Sequence, residues 1–176
     1  MIIKSVTQVG NPLIRSKSKA VKNITSKEVK KIVKDLTDSM RYHGLVGMAA
    51  PQIGAGVRIF VVEVRSTKSR NAKLTEPLRV FINPKITSYA KKLVAGYEGC
   101  GSVAASGLFG LVNRQEAVTV KALDENGLPF ILRATGLMAR IIQHEMDHLD
   151  GIIFLDRMED TKTFFSRNEY ISKFKK

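Results

Sequence analysis

Apolar residues recur at helical spacing in "TSKEVKKIVKDLTDSM" (25–40), where Val29, Ile32, Val33, Leu36 and Met40 form one stripe. Thr25 and Glu28 stand at capping-box spacing ahead of that stripe, so the pattern predicts a helix capped by Thr25. The character changes in "VRIFVVEV" (57–64) and "LRVFIN" (78–83), rich in β-branched and aromatic residues and read as strands. Between them "RSTKSRNAKLTEP" (65–77) reads as a basic loop. "AVTVKAL" (117–123) and "PFILRA" (129–134) flank "DENG", a hairpin signal. Thr135 is then expected to cap a helix carrying Leu137, Ile141, His144 and His148, which Gly151 ends. "GLVGMAAPQIGAG" (44–56) is too rich in glycine for regular structure, with Pro51 ending any local helix. The stretch 157–176 reads as a basic helical tail with Phe164, Ile171 and Phe174 as its stripe. Helices and strands are segregated rather than alternating. The expected fold is α+β, with antiparallel sheets packed around the central histidine helix and one helix near each terminus. No repeat or low-complexity segment divides the chain, so residues 1–176 are expected to form one domain.

Composition narrows the classes. A chain of 176 residues that is 44% hydrophobic can bury an ordinary globular core. No run of eighteen apolar residues offers a membrane span. The opening "MIIKSVTQVGNPLIRS" lacks the apolar core of a secretory signal. One cysteine, Cys100, cannot form an intramolecular disulfide, which fits a reducing compartment. The expected location is a bacterial cytoplasm, or an organelle matrix if a leader has been removed. Net charge is +13, from 29 Lys and Arg against 16 Asp and Glu. Such a field favours polyanions, RNA first among them, yet the lysines are dispersed and no RNA-binding signature accompanies them.

Chemistry enters with "QHEMDHLDG" (143–151). His144 and His148 are one helical turn apart and can aim at one ion, with Glu145 beside it to accept a proton from water. A catalytic site needs about three protein ligands. The position where one long zinc-protease pattern has its third histidine is Phe154 here. Glu169 and His43 are the remaining downstream and upstream alternatives, and either would make a zinc peptidase with an inert Cys100. The stronger candidate is Cys100 in "YEGCGSVA" (97–104), between two glycines that let the backbone bend around a bound group. A thiolate with two imidazoles suits Fe(II), Zn(II) and related ions. A non-catalytic RNA- or ribosome-binding domain would account for the charge but has no use for a glutamate beside paired histidines.

"GLVGMAAPQ", "EGCGS" and "QHEMDH", in this order and with "GNPLIR" near the start and "VFINPKI" before the cysteine, resemble the peptide deformylases over nearly the whole chain. The "EGC-SVA" form looks closer to the organellar type and its bacterial relatives. The resemblance implies a metal-dependent hydrolase that removes the formyl group from N-formylmethionyl nascent peptides and releases formate. It implies Cys100, His144 and His148 as ligands of one ion, Fe(II) first and Zn(II), Ni(II) or Co(II) as substitutes. It implies Glu145 as the acid/base, and Gln52 with the Gly101 N–H as oxyanion donors. Val46 and Gly47 would pair an extended peptide, while Leu137 and Ile141 would line the methionine pocket. Glu98 and Arg114 would form an ion pair holding the cysteine loop, and Asp147 either orients a ligand histidine or faces solvent. Leu45 stands where the family commonly has glycine, Gly101 where leucine is usual, and no proline follows Val103. Partners are expected to be nascent peptides and, through Lys173, Lys175 and Lys176, transiently the ribosome. No DNA or membrane is expected, and the protein is read as a monomer or homodimer.

Overall fold

The computed structural model describes residues 3–67 and 75–174. The chain runs α1 (Lys27–Tyr42), β1 (Gly47–Ala49), β2 (Ile59–Val64), β3 (Glu76–Tyr89), β4 (Leu93–Gly99), β5 (Leu108–Gln115), β6 (Ala117–Leu123), β7 (Pro129–Thr135), α2 (Gly136–Leu149), β8 (Phe165–Ser166) and α3 (Arg167–Phe174), with short 3-10 turns between. The strands form a five-stranded sheet, β1-β2-β3-β6-β7, and a three-stranded one, β4-β5-β8. Every pairing within them is antiparallel. The mixed α+β reading therefore stands.

Local chemistry explains most elements. Ser26, not Thr25, caps α1: its side chain accepts the Val29 N–H, and the expected Thr25–Glu28 capping box does not form. The apolar stripe of α1 packs Val29, Leu36 and Met40 against Ile59, Val61 and Val80. The β6–β7 hairpin pairs Ala117 with Thr135 and Leu123 with Pro129, closed by a turn in which Asp124 accepts the Asn126 and Leu128 N–H groups. α2 follows with Thr135 at its N-cap position, although the Thr135 side chain makes no capping bond, and Gly151 (φ 75°) turns the chain after its end.

Four expectations change. The glycine-rich stretch 44–56 holds β1 and a 3-10 turn, Ala50–Ile53, with Pro51 inside its first turn, where the missing N–H costs nothing. β3 runs far beyond 78–83 because its first half pairs with β2 and its second with β6. Asn83 (φ 51°) marks the changeover, its side chain exchanging two hydrogen bonds with Val21. β4 and β5 carry no clear alternation in the sequence, yet they pair in unbroken register from Leu93↔Gln115 to Gly99↔Phe109. The terminal helix begins only at Arg167 and is described to Phe174, preceded by a 3-10 turn at Thr161–Thr163 and by β8. Its packing face is Tyr170 and Phe174 on Tyr97, Phe109 and Phe165, rather than the expected stripe from Phe164. Of the basic loop, residues 68–74 lie outside the described residues, as do Lys175 and Lys176.

α2 is the spine of the molecule. Ala139, Ile142 and Leu149 join Phe60, Phe81, Val118 and Val120 in one core cluster on the five-stranded sheet. Gln143 on the same helix is bonded to the Gln115 backbone of β5, so one helix holds both sheets.

Candidate metal centre

The repeat of α2 puts His144 and His148 on one face with ring centroids 5.0 Å apart. The turn after β4 brings Cys100 to the same point, its Sγ 3.1 Å from His148 Nε2. The ligand atoms of Cys100, His144 and His148 all lie within 4.8 Å of one another. All three are buried, His148 fully. Burial alone would raise the Cys100 thiol, but the charge of His148 and hydrogen bonds from both histidines outweigh it and hold the thiol well below its ordinary range. The Ser102 N–H at 3.4 Å and Gln52 Nε2 at 3.6 Å also point at the sulfur. His144 is likewise held well above its ordinary value: burial works against the charge, and hydrogen bonds to Cys100 and Glu98 prevail. A thiolate between two imidazoles is a donor set for a borderline-soft divalent ion, so these residues fit a metal.

Around this trio the polar groups are ordered one by one. His144 Nδ1 lies 2.9 Å from Glu98 Oε2, which turns its other ring nitrogen toward the cluster. Gln52 Oε1 accepts the Ala49 N–H at 2.8 Å, and that bond fixes the amide so that Nε2 faces Cys100. The Gly101 N–H has no hydrogen-bond partner among the described residues. Glu145 is buried with Oε2 unpartnered, and burial, only partly offset by the two histidines, pushes its carboxyl up to about 7. Gly47 makes room for it: a Cβ there would meet Glu145 Oε1 at 2.5 Å and Ile141 Cγ2 at 2.7 Å. A poised proton acceptor, two oriented N–H donors, Cys100 and His144 thus border one cleft open to solvent, while His148 is fully buried.

The cleft wall contains the other expected residues. Leu137 and Ile141 line it while packing in the core. β1 is an edge strand, and its backbone alternates: Val46 gives its carbonyl to the Glu63 N–H at 2.9 Å, so Gly47 turns its own N–H and C=O to the open side. The Val46 carbonyl is thus taken up by β2, and both Val46 and Gly47 line the cleft. Glu98 and Arg114 form a bidentate pair at 3.0 Å on both arms. Hydrogen bonds and charge from His144 and Arg114 hold Glu98 ionised against its burial.

Asp147 neither touches a histidine nor faces solvent. It receives Arg114 Nη1 at 2.5 Å and Arg157 at 3.1 and 2.7 Å. It anchors the arginine that fixes Glu98, and so acts on His144 at two removes. Arg140 was not anticipated: it donates to Glu98 and to the carbonyls of Val94, Gly96 and Val112, tying β4, β5 and α2 together. Its place one turn before His144 on α2 was the only sequence signal for it. Glu169 and His43 lie elsewhere. Glu169 is exposed on the first turn of α3, and His43 Nε2 sits 3.0 Å from the Lys4 carbonyl at the end of α1.

The departures at 45, 101 and 104 have geometric reasons. A Cβ on Gly101 would stand 3.0 Å from Leu45 Cδ1 and 3.3 Å from Val6 Cγ1, so Leu45 already fills the space a side chain at 101 would need. Ala104, Ala105 and Ser106 take φ of 47°, 50° and 64°, and a proline at 104, locked near −65°, cannot adopt that backbone.

The chain is similar to known proteins over most of its length. A family model described as polypeptide deformylase matches residues 3–164. Peptide deformylase 2 of Nostoc sp. is 37% identical over 166 residues, covering 94% of this chain and 91% of that one. The human mitochondrial peptide deformylase is 38% identical over 170 residues, 90% of this chain and 69% of that one. A crystal structure of a class I type b peptide deformylase from Acinetobacter baumannii with Met-Ala-Ser bound superposes with a TM-score of 0.84 at 30% identity, covering 89% of this chain and all of that one.

Proposed function

The chain belongs to the polypeptide deformylase family, and from that premise we propose that it hydrolyses the N-formyl group of formyl-methionyl nascent peptides, with residues 1–176 serving as one catalytic domain. The observation that carries the assignment of roles is the convergence of Cys100, His144 and His148 beside the unpartnered Glu145 carboxylate. Cys100, His144 and His148 would hold one divalent ion, Fe(II) in the native enzyme, with Zn(II), Ni(II) or Co(II) able to replace it. Such an ion acidifies water and polarises a carbonyl.

Glu145 accepts the proton of the attacking water, for which a carboxyl near 7 is well matched to neutral pH. As the formyl carbon becomes tetrahedral, Gln52 Nε2 and the Gly101 N–H donate to its oxygen. Loss of one such donor costs about 3–4 kcal/mol of barrier. Glu145 then passes the proton to the departing amine, and formate and a free N-terminus leave. Val46 and Gly47 pair the peptide as an added strand, while Leu137 and Ile141 receive the methionine side chain.

The reaction requires a compartment where synthesis starts with formyl-methionine, a bacterial cytoplasm or an organelle matrix. The net charge of +13 supports a transient approach to ribosomal RNA. Lys173 lies 4.9 Å over the Phe165 ring, which keeps it at the docked helix. Cosedimentation with ribosomes across a salt series, for the parent and for glutamate replacements of Lys173, Lys175 and Lys176, tests that contact; equal binding at every salt concentration removes it.

The activity itself is tested anaerobically on a formyl-Met tripeptide with metal analysis. Iron-loaded protein is expected to turn over and to fail in air, whereas the nickel form persists. Cys100→Ser is expected to lose the ion. Retained metal and activity in that variant would exclude Cys100 as a ligand.

A further inference from the structure

Among the described residues, two arginines line the cleft, and they differ in one respect. Arg140 is fully engaged, by Glu98 and three backbone carbonyls. Arg167 lines the same cleft half-buried, and its guanidinium has no hydrogen-bond or ion-pair partner among the described residues. Glu169, two positions on, forms no ion pair with it. The acidic groups of the cleft are already occupied or withdrawn: Glu98 is neutralised by Arg114 and Arg140, and Glu145 is buried behind Gly47. Among the described residues that line the cleft, Arg167 is therefore a cation without a partner.

Its position is fixed rather than incidental. The Arg167 N–H donates to the Gly107 carbonyl at 2.9 Å, tying the start of α3 to the end of the cysteine loop. One turn later Tyr170 stacks on Phe109 with centroids 4.2 Å apart and planes 2° from parallel. Phe174 packs on Tyr97 at 5.0 Å, and both Tyr97 and Phe109 line the cleft. The aromatic stack holds the helix against the cleft wall, so the guanidinium is carried on an anchored element at its edge. A planar guanidinium in such a place recognises carboxylates.

We propose that Arg167 is a specificity-determining residue that selects peptides with an acidic side chain downstream of the formyl-methionine. The inference rests on the deformylase reading of the cleft and adds to it the charge of the preferred peptide. The attraction is electrostatic, so it acts on peptide capture and fades as salt shortens its range to about 8 Å at physiological strength.

The test is kcat/KM on formyl-Met tetrapeptides carrying Glu, Gln or Lys in turn at the second, third and fourth positions, with alanine elsewhere, at low and high salt. For the parent, Glu is expected to exceed Lys by roughly threefold to fivefold at one position or more, mainly through KM. Arg167→Glu should invert that order, Arg167→Gln should erase it, and Arg167→Lys should retain part of it. The Glu-to-Lys ratio should move toward unity at high salt. A ratio unchanged by Arg167→Glu at all three positions, while the peptides are still deformylated, overturns the role of Arg167. No deformylation of any peptide by metal-loaded parent protein overturns the underlying reading instead.

Discussion

Two of the three candidate ligands come from α2 and the third from the turn after β4, and the two regions are built in opposite ways. α2 is regular, buried and held by both sheets, so His144 and His148 inherit their geometry from the helical repeat. The cysteine turn has little regular structure. It is shaped by Gly101, by the three left-handed residues Ala104–Ser106, and by contacts to distant groups: Gln8 Oε1 accepts the Ala105 N–H at 3.0 Å, and Val9 donates to Ser102 O at 2.8 Å. Left-handed backbone costs about 1–2 kcal/mol per non-glycine residue. A centre made of both combines a fixed pair of imidazoles with a thiolate whose placement depends on its surroundings.

Changes to the helix should separate chemistry from structure most sharply. Glu145→Gln preserves shape and removes the proton acceptor. We expect the metal retained and kcat lowered about 10³-fold or more, read by steady-state kinetics beside metal analysis. Activity within tenfold of the parent would remove Glu145 from its role. Next in size is the ionic link that joins the two regions. Arg114→Met leaves Glu98 and Asp147 buried without their shared cation, and breaking a buried pair costs about 3–5 kcal/mol. Denaturant unfolding should show that loss, and metal affinity should fall with it because the carboxylate that orients His144 keeps only one of its two arginines.

The cysteine turn answers to packing. Gly101→Leu must displace Leu45 and is expected to lower kcat/KM by about tenfold, an overpacking effect of 1–3 kcal/mol. Adding Leu45→Gly should recover part of it. A double variant no better than Gly101→Leu alone would separate the two positions. The smallest test uses one substitution in both regions. Ala139→Gly, fully buried in α2, should lose about 1 kcal/mol or more. Ala105→Gly, at φ 50°, should be neutral or gain about 0.5 kcal/mol because glycine accepts that backbone. Equal losses at both would contradict the strained turn.

The same contrast explains how much could be read from the chain. Signals carried by near neighbours were legible: the stripe of α1, the β6–β7 hairpin, the paired histidines with their glutamate, and Gly151 as a stop. β4 and β5 were hidden because Gly96, Gly99 and Gly110 interrupt their patterns and because the third strand of their sheet, β8, comes from the far end of the chain. Asp147 looked ambiguous because its partners, Arg114 and Arg157, lie on other elements. Leu45 and Gly101 were visible as departures from the family, but that one fills the space left by the other appears only in three dimensions. Arg167 had no signal at all, since its meaning lies in the partner it lacks.

The short edge strand β1 has a consequence for timing. Its open side borders the cleft beside Glu145 and Ile141, so a peptide that pairs with it there must be extended. On the proposed reading, a substrate is available only while its first residues are unstructured. Deformylation then races against the folding of its own substrates: proteins whose N-termini enter a sheet within milliseconds of emerging have a narrower window than those whose termini stay loose.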